Sequence, residues 1–319
     1  MADLRHFDAG QTTLFFDPVA EPIAELADGE RVIVDTTDSI CGIWREARPE
    51  GMHIDEVIER LGGACPLTGP FAVTGAAAGD ILEVDFHRVE PRPLVGTGWT
   101  GSFRGFGALT TDVYGLQDPL PVGLEEIAYD SEAAHLRAGG RDRAIPIHPF
   151  LGTVGVAPPR ERRMSFSQAP EYLGDVDQPG ITAGSTLVLP VNVDGGLLSL
   201  GDAHAAQGDG EITGVGIEIE STVELTVRVS DRETSGFVSL PQLNTVEAIG
   251  SIAGLQGVSL SDCARAAYTD LARRLITSYG FDREDAYVLL GQVGRLQVGN
   301  MIDPFYSVCA SVGRRFVEG

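Results

Sequence analysis

The sequence predicts a mainly β protein with a smaller α/β part at its carboxyl end. Apolar and polar residues alternate with a period of two in residues 30–37, 79–87 and 221–229, which is the pattern of half-buried strands. Forty glycines and eighteen prolines are scattered along the 319 residues, as expected for a chain with many turns. Helical periodicity is limited to a few segments, and the clearest of them lies near the carboxyl end.

Between the alternating segments, other patterns predict the remaining elements of the body. Residues 185–193 form an apolar run, which predicts a strand that is covered on both faces. Residues 53–61 and 124–136 are rich in helix-forming side chains and predict two short helices. The apolar residues 197–200 predict a strand that leads directly into a polar bend.

The carboxyl-terminal part begins with a helix from about Ser261 to Tyr279. Ser261 or Asp262 can cap its first turn, and Gly280 can end its last turn. After it, residues 286–290 and 295–298 are predicted as strands.

These elements divide the chain into two parts. Residues 1–250 form a β body that carries the active site, and residues 251–319 form an α/β tail. Because no change of composition and no linker separates the two, we expect the tail to pack on the body as one integrated unit.

The charge of the chain excludes several classes of partner. The 23 basic residues are all arginine and face 46 acidic residues, which gives a formal net charge of −23. Nucleic acids and anionic membrane surfaces would be repelled, so we expect neither as a partner. The absence of lysine excludes Ser-Ser-Lys amidases, Cys-Glu-Lys hydrolases, Schiff-base lysine enzymes and Walker A nucleotidases, since arginine cannot replace their ammonium group.

The sequence also predicts a cytoplasmic location. No segment approaches the roughly 20 apolar residues of a membrane span, and the first residues have no apolar run of the signal-peptide type. The cysteines are far apart and form no Cys-x-x-Cys pair, so neither a disulfide framework nor a cysteine zinc site is indicated; they are Cys41, Cys65, Cys263 and Cys309.

The densest group of possible metal ligands lies in residues 201–211 (GDAHAAQGDGE). Asp202 and His204 are two residues apart, so in an extended segment their side chains leave the same face and can converge on one ion. Asp209 and Glu211 repeat this spacing. Such mixed oxygen and imidazole ligands suit a divalent cation, with zinc and calcium as the candidates. Either metal could polarise an amide carbonyl and acidify a water molecule.

A structural interpretation of the same segment is open as well. Gly-Asp pairs and Asp-Gly-Glu are common in turns, and a single histidine is more often structural than a ligand. The small residues between the polar groups favour the functional interpretation, because they are too small to fill a core and suit backbone that lies close to an ion or substrate; they are Gly201, Ala203, Ala205, Ala206, Gly208 and Gly210.

Residues 200–211, together with residues 216–218, resemble the signature of the acetamidase/formamidase family. Further segments agree with this family and keep its order; they are residues 36–39, 67–76 with 79–80, 149–158, 284–287 and 298–304. Because these segments are spread over most of the chain, from residue 36 to residue 304, chance similarity is a poor explanation for them.

The resemblance implies a jelly-roll-like β-sandwich body, a divalent metal, and hydrolysis of a small linear amide such as formamide or acetamide to its acid and ammonia. By position, it makes Asp38, Asp202 and His204 candidate metal ligands. It makes Asp209, Glu211 and Glu218 candidates for proton transfer or further ligation. Gln207 could orient the carbonyl group of the substrate.

The chain departs from the family pattern at two places. The family has a Gly-Gly-Asn-x-Asp stretch, whereas residues 173–177 read LGDVD, so that Asp175 replaces an amide donor by a carboxyl group. Before the Thr-Gly-Pro segment, residues 64–66 read ACP in place of a histidine or asparagine beside proline. Either change could alter the substrate, the metal or the activity. A non-catalytic metal- or ligand-binding β protein is therefore the alternative function.

Other patterns carry less weight. Residues 96–101 match Gly-x-Gly-x-x-Gly, but neighbouring prolines and glycines do not suit a strand-turn-helix unit. A loop that lines the pocket is the better interpretation, with Trp99 and Phe103 as walls. Cys41 and Cys65 are interpreted as inert cysteines. A homodimer is expected, because strand-rich proteins often bury sheet edges against a partner.

Overall fold

The computed structural model describes residues 4–46, 54–103, 106–109, 123–230, 239–302 and 304–318. The strands are β1 (Arg5–Phe7), β2 (Thr12–Thr13), β3 (Phe15–Phe16), β4 (Ala24–Leu26), β5 (Arg31–Thr36), β6 (Leu67–Val73), β7 (Ile81–Pro91), β8 (Gly96–Ser102), β9 (Gly123–Tyr129), β10 (Ala133–Ala138), β11 (Arg141–Pro146), β12 (Phe150–Gly155), β13 (Arg163–Met164), β14 (Gln168–Ala169), β15 (Leu173–Asp175), β16 (Thr186–Pro190), β17 (Leu198–His204), β18 (Glu218–Ile219), β19 (Ser221–Ser230), β20 (Gln242–Asn244), β21 (Ala248–Gln256), β22 (Arg295–Asn300) and β23 (Phe305–Gly313). The helices are α1 (Ile43–Glu46), α2 (Ile54–Leu61), α3 (Leu260–Tyr279) and α4 (Arg283–Val293), with a 3-10 turn at Arg314–Phe316.

Two large sheets make up the body. One has nine strands in the order β1-β5-β19-β7-β16-β20-β21-β23-β22. The other has twelve strands, with the path β11-β10-β9-β8-β18-β17-β12-β15-β14; β6 pairs with β17 and also with β2 and β4. Strands β3 and β13 form a separate pair.

The inner faces of the two sheets share one hydrophobic core. Val84 and Leu225 reach it from the nine-stranded sheet, and Leu151 and Leu200 reach it from the twelve-stranded sheet. All four side chains are completely or almost completely buried, and burial of each stabilises the fold by roughly 1.5 to 3 kcal/mol. The predicted fold class, a mainly β, jelly-roll-like sandwich with a smaller α/β part, is confirmed.

The carboxyl-terminal residues extend the nine-stranded sheet. Strands β21 and β23 pair along nine residues, and β22 forms the edge of the sheet. Helices α3 and α4 cover this end through a second core that includes Ala267, Leu271 and Leu290. The division of the chain at residue 250 stays a prediction; β21 runs across that position.

The predicted helix of the carboxyl-terminal part is confirmed, although its cap is Ser259 and neither Ser261 nor Asp262. Ser259 Oγ accepts a hydrogen bond from Asp262 N at 3.2 Å, and Asp262 Oδ2 accepts one from Ser259 N at 3.3 Å. This reciprocal capping box satisfies two amides that the helix leaves free, and such a cap is worth about 1 kcal/mol. Gly280 ends the helix with a φ of 73°.

The prediction of a helix at residues 124–136 is wrong. These residues form most of the hairpin β9–β10, whose turn is closed by Asp130: its Oδ1 accepts hydrogen bonds from the backbone N–H groups of Glu132 and Ala133. Ile127 and Tyr129 are buried on alternate positions. Burial of alternate side chains in the paired strands therefore outweighs the helix propensity of the glutamates and alanines.

The prediction of a strand at residues 286–290 is also wrong, because these residues lie inside α4. Ala286 and Leu290 are four residues apart and bury one face of the helix. Tyr287 and Val288, which suggested a strand, are exposed. The short helix predicted at 53–61 is confirmed as α2 for its described residues. No helix among the described residues is long and apolar enough to cross a membrane.

Candidate active site

Neighbouring strands of the twelve-stranded sheet bring His204 and Glu218 together. In the antiparallel ladder, Phe150 lies opposite His204, His204 opposite Glu218, and Glu218 opposite Trp99. Directly opposed residues point to the same face of a sheet, so these four side chains form one row. The ring of Phe150 contacts the imidazole edge-to-face at a centroid distance of 5.1 Å, which fixes one side of His204.

Asp202 lies two residues before His204 in β17, at a point where the backbone of the strand is distorted. Asp202 has a φ of 56°, in the left-handed region that non-glycine residues rarely adopt. Cys65, Asp177 and Glu211 also have φ values between 46° and 50°, and all four line one cavity. Each such residue costs about 1 kcal/mol or more and persists only where the surrounding structure holds it. Backbone strain of this kind concentrates at functional sites.

Three carboxylates surround the Nε2 atom of His204. Its distance is 3.2 Å to Glu218 Oε1, 3.6 Å to Asp202 Oδ1 and 4.0 Å to Glu211 Oε1. All four residues are buried. Asp177 is also buried and groups with His204 and Glu211, with donor atoms that lie within 4.8 Å of one another.

The orientation of the imidazole is fixed by Gln207. His204 Nδ1 lies 2.7 Å from Gln207 Oε1, while Gln207 Nε2 donates to the carbonyl oxygens of Asp177 and Gly299. Because the amide nitrogen is held by two carbonyls, its oxygen must face the ring, and Nδ1 must donate to it. The hydrogen of the neutral ring therefore lies on Nδ1, and the lone pair of Nε2 is free to bind a cation. Without a cation, a protonated Nε2 can donate to the carboxylates around it.

Glu218 and Asp177 are held by hydrogen bonds of their own. Glu218 Oε2 accepts from Ser39 Oγ at 2.7 Å, and Glu218 Oε1 accepts from Gly216 N at 2.9 Å. Asp177 Oδ2 accepts from Asn300 Nδ2 at 2.9 Å. By contrast, no hydrogen bond to the carboxylate of Glu211 is found among the described residues. Glu211 is thus the cluster member with the fewest restraints on its carboxylate.

Burial and mutual repulsion raise the pKa values of this cluster. Burial, and then the charge of Asp177, raise the pKa of Glu211 well above its ordinary value. The pKa of Asp177 is raised to about 7, chiefly by burial, and that of Glu218 is raised for the same reason. The pKa of His204 is raised well above its ordinary value because Glu218 and Asp202 outweigh the effect of burial. Protons or cations must therefore neutralise the cluster.

Asp175 shares the hydroxyl group of Thr153 with Asp202. Thr153 Oγ1 lies 3.0 Å from an oxygen of each carboxyl group, although a hydroxyl has one hydrogen and can donate to only one of them. Burial, followed by the charges of Asp177 and Asp202, raises the pKa of Asp175 well above its usual range. Of the two carboxyl groups, Asp175 is the one whose raised pKa favours the neutral form, which could donate the second hydrogen bond. A neutral carboxyl group can donate a hydrogen bond, as an asparagine amide would.

The cluster lies at one end of a cavity of about 360 Å³. Trp99 and Phe103 line this cavity, as the sequence predicts, although residues 96–102 form strand β8 and not a loop. Cys65 also lines it. Burial and the surrounding carboxylates raise the pKa of the Cys65 thiol well above its ordinary value, so the sulfur stays protonated and is a poor nucleophile.

The structure brings four of the seven residues singled out in the sequence into this cluster: Asp202, His204, Glu211 and Glu218. Gln207 lies beside it, with its amide on His204. Asp209 lies in the same loop but is exposed, and its Oδ1 accepts a long contact of 3.5 Å from Gln297 Nε2.

Asp38 is buried but does not reach the cluster. Its carboxylate accepts hydrogen bonds from the backbone N–H groups of Ile40 and Gly42 and closes the turn that follows β5. This turn places Ser39, whose hydroxyl group reaches Glu218. Asp38 thus acts on the site through its neighbour.

Sequence reasoning missed Asp175, Asp177 and Asn300 as members of the site. Asp175 and Asp177 have the same two-residue spacing as Asp202 and His204, which was the available signal. Asp175 ends β15 and Asp177 follows it, and only the pairing of β15 with β12 and of β12 with β17 brings them to the cluster. Asn300 lies at the end of β22, in one of the segments that resemble the family.

The raised pKa values predict how the stability of the metal-free protein depends on pH. Asp177 binds its proton in the folded state up to about pH 7 but releases it near pH 4 when unfolded, so the folded state holds more protons in this range. His204 acts in the same direction, because the stability it contributes is lost as pH rises above its unfolded value of 6.5. We expect the melting temperature of the metal-free protein to fall by about 5 °C or more between pH 5 and pH 8.

Thermal unfolding followed by circular dichroism tests this dependence. The double variant Asp177→Asn/Glu211→Gln, which lacks two of the titrating groups, is the control and should show a weaker pH dependence. A melting temperature that rises from pH 5 to pH 8 in the metal-free protein would contradict the expectation.

The chain is similar to known proteins in sequence and in structure. The acetamidase/formamidase family model matches residues 14–173 and 167–312. The chain superimposes on an acetamidase from Yersinia enterocolitica with a TM-score of 0.87 and 32% sequence identity, covering 99% of this chain and 94% of that one.

Two proteins with related sequences extend the comparison. The chain is 27% identical over 302 residues to an acetamidase of Mycolicibacterium smegmatis, which covers 70% of this chain and 72% of that protein. It is 27% identical over 215 residues to a candidate formamidase of Schizosaccharomyces pombe, and this match spans only about half (51%) of each protein. The chain therefore belongs to the acetamidase/formamidase family, whose enzymes hydrolyse carbon–nitrogen bonds other than peptide bonds.

Proposed function

We propose that this protein is a metal-dependent amidohydrolase that cleaves the C–N bond of a small linear amide to give the acid and ammonia. The observation that carries the proposal is the buried cluster of one imidazole and several carboxylates at the end of a cavity. Membership of the acetamidase/formamidase family supports the reaction class. The raised pKa values of the cluster support a catalytic role, because such shifts concentrate where proton transfer takes place.

The donor set fits a divalent cation. Asp202, His204 and Glu218 present donor atoms within 4.8 Å of one another, close to the separation of about 3 to 4 Å between ligands of one zinc ion. An imidazole whose other nitrogen is anchored, as His204 is by Gln207, is the usual arrangement at such centres. Zinc is favoured over calcium, since calcium takes six to eight oxygen ligands and the donor set here includes a nitrogen.

Charge is the second reason for a cation. Five acidic side chains meet here, and among the described residues of the cluster His204 alone opposes them; they are Asp175, Asp177, Asp202, Glu211 and Glu218. Burying ionised carboxylates without a counter-charge is prohibitively unfavourable. When bound, the metal would polarise the amide carbonyl and lower the pKa of a water molecule.

Glu211 is the proposed general base. Its carboxylate is buried, lies 4.0 Å from His204 and has no hydrogen-bond donor among the described residues, so it is free to accept the proton of the attacking water. Its raised pKa brings it nearer to neutral pH, where a general base works best. The protonated Glu211 would then deliver this proton to the departing nitrogen.

The remaining polar residues position this machinery. Gln207 holds His204, Ser39 holds Glu218, and Asn300 holds Asp177. These contacts keep the donor atoms together before substrate binds, and such preorganisation is a large part of what an active site contributes.

Ammonia release from formamide and acetamide, with and without complete chelation, tests the proposed function. We expect hydrolysis by the metal-loaded protein, a fall of at least tenfold after metal removal, and recovery when zinc is added back. Elemental analysis of the same samples gives the metal identity and stoichiometry. Hydrolysis that persists in metal-free protein would refute the metal dependence, and the absence of ammonia with every amide would favour a non-catalytic binding protein.

We also propose that the protein is a cytoplasmic homodimer. A reducing compartment is supported by the four cysteines, which are all free thiols. A dimer is supported by the edge strand β22, where Leu296 is 41% exposed on an unpaired edge of the nine-stranded sheet.

A further inference from the structure

The wall of the cavity combines two kinds of chemistry. The carboxylates of the cluster form its acidic end, together with Ser39 and Asn300. Much of the remaining wall is apolar and largely aromatic; it includes Ile58, Trp99, Phe103, Phe106, Phe166 and Phe305. Nothing in the hydrolysis of formamide or acetamide uses this apolar wall, because neither molecule has more than one methyl group.

The size of the cavity also exceeds what formamide or acetamide needs. Its volume of about 360 Å³ far exceeds the roughly 10 to 15 Å³ that a site for one water molecule requires. Acetamide has only four non-hydrogen atoms and would leave most of this space to water. Water beside apolar walls is unfavourable, and an apolar group that replaces it gains binding energy.

We propose that the preferred substrate is a primary amide whose acyl group is apolar and about the size of a phenyl ring. This inference rests on the proposed function, since the release of ammonia places the larger substituent on the acyl carbon. The amide group lies at the acidic end, within reach of Glu211, and the acyl group lies among the aromatic side chains. Trp99 is one of these side chains and lies opposite Glu218 in the sheet.

The indole of Trp99 supports a bound ligand at this position. Its Nε1 atom is buried and has no acceptor among the described residues. Buried N–H groups are nearly always paired, and a molecule bound beside Trp99 could supply the missing acceptor. The carbonyl oxygen of an amide is an acceptor of this kind.

A series of primary amides tests the preference. We expect kcat/KM to rise about fourfold for each methylene from acetamide to butyramide, which is the value of one buried methylene. Phenylacetamide should exceed acetamide by at least tenfold. A second readout does not depend on turnover. Calorimetry measures the binding of acetamide and of phenylacetamide to the Glu211→Gln variant.

A matched pair of variants on α2 tests the position of the acyl group. Ile58 lines the apolar wall, whereas Glu59 is its exposed neighbour on the same helix. Ile58→Trp should lower kcat/KM and binding for phenylacetamide at least tenfold more than it lowers those for acetamide. Glu59→Trp adds the same side chain outside the cavity and should change neither.

The outcomes separate the two proposals. Hydrolysis of acetamide with equal or weaker kcat/KM for the larger amides would overturn the substrate preference and leave the proposed function intact. A second outcome is that phenylacetamide binds, that Ile58→Trp weakens this binding, and that no amide yields ammonia. This outcome would support the apolar binding site and refute the hydrolase. If phenylacetamide neither reacts nor binds more tightly than acetamide, the substrate preference is refuted.

Discussion

Replacing Glu211 by glutamine is expected to lower kcat for amide hydrolysis about 1000-fold while the protein keeps its fold and its metal. The substitution retains the size of the side chain and removes its ability to accept a proton. General bases contribute about 100-fold to 10,000-fold to enzymatic rates. Stopped assays of ammonia, thermal unfolding and elemental analysis on the same preparation measure the three quantities.

The reason to expect a kinetic effect lies in the contacts of Glu211. Its carboxylate is buried in the cluster, yet it accepts no hydrogen bond from the described residues, whereas Glu218 accepts two. The loss of its negative charge also relieves repulsion with Asp177, so we expect the stability of the metal-free protein to stay equal or increase above pH 7.

Asp209→Asn is the matched control for this prediction. Asp209 and Glu211 lie in the same loop, two residues apart, and both are candidates for proton transfer by sequence. Because Asp209 is exposed and faces Gln297, its replacement should change kcat less than twofold. If Glu211→Gln loses the metal together with activity, Glu211 is a ligand, and the assignment of the base must move to another carboxylate.

The two-residue spacing shows what sequence can predict about this site. It places Asp202 and His204 on one face of a strand, and the structure brings these two side chains together. The same rule places Asp209 and Glu211 together, but the loop turns at Gly210 and Glu211, whose φ values are 86° and 47°, so only Glu211 enters the cavity. A period of two holds only while the backbone stays extended.

The rest of the site depends on strand pairing, which a single sequence does not contain. Asp177 reaches His204 because β15 and β17 both pair with β12. Similarly, Thr153 lies between Asp175 and Asp202 only in the assembled sheet.

Local propensity also had limits for the fold. The alternating strands β5, β7 and β19 could be predicted because their burial follows their sequence pattern. The hairpin β9–β10 could not, since its glutamates and alanines favour a helix and only pairing with β8 makes it a strand.

Gly152→Ala is expected to lower kcat/KM about 100-fold in a protein that still folds. A methyl group at this position would lie 2.6 Å from Asp177 Oδ1 and 2.7 Å from Asp202 Oδ2, closer than carbon and oxygen can approach. The φ of Gly152 is not in the left-handed region, so alanine suits its backbone and the obstacle is space alone. Both carboxylates must shift, and a displacement of about 1 Å in an active site can cost 100-fold in rate.

Gly208→Ala is the control for Gly152→Ala. It tests whether replacing any glycine near the site lowers activity, or only one whose added methyl group meets the carboxylates. Gly208 lies inside the segment that carries the resemblance, yet a methyl group there would meet no atom within 4 Å, and its φ is also outside the left-handed region. We expect Gly208→Ala to leave kcat/KM within twofold of the parent protein.

Gly152→Ala should also affect stability. Overpacking at Gly152 should destabilise the fold by about 1 to 3 kcal/mol, which chemical denaturation measures. Normal activity and normal metal content in Gly152→Ala would contradict this prediction. They would mean that the positions of the Asp177 and Asp202 carboxylates can shift without affecting catalysis.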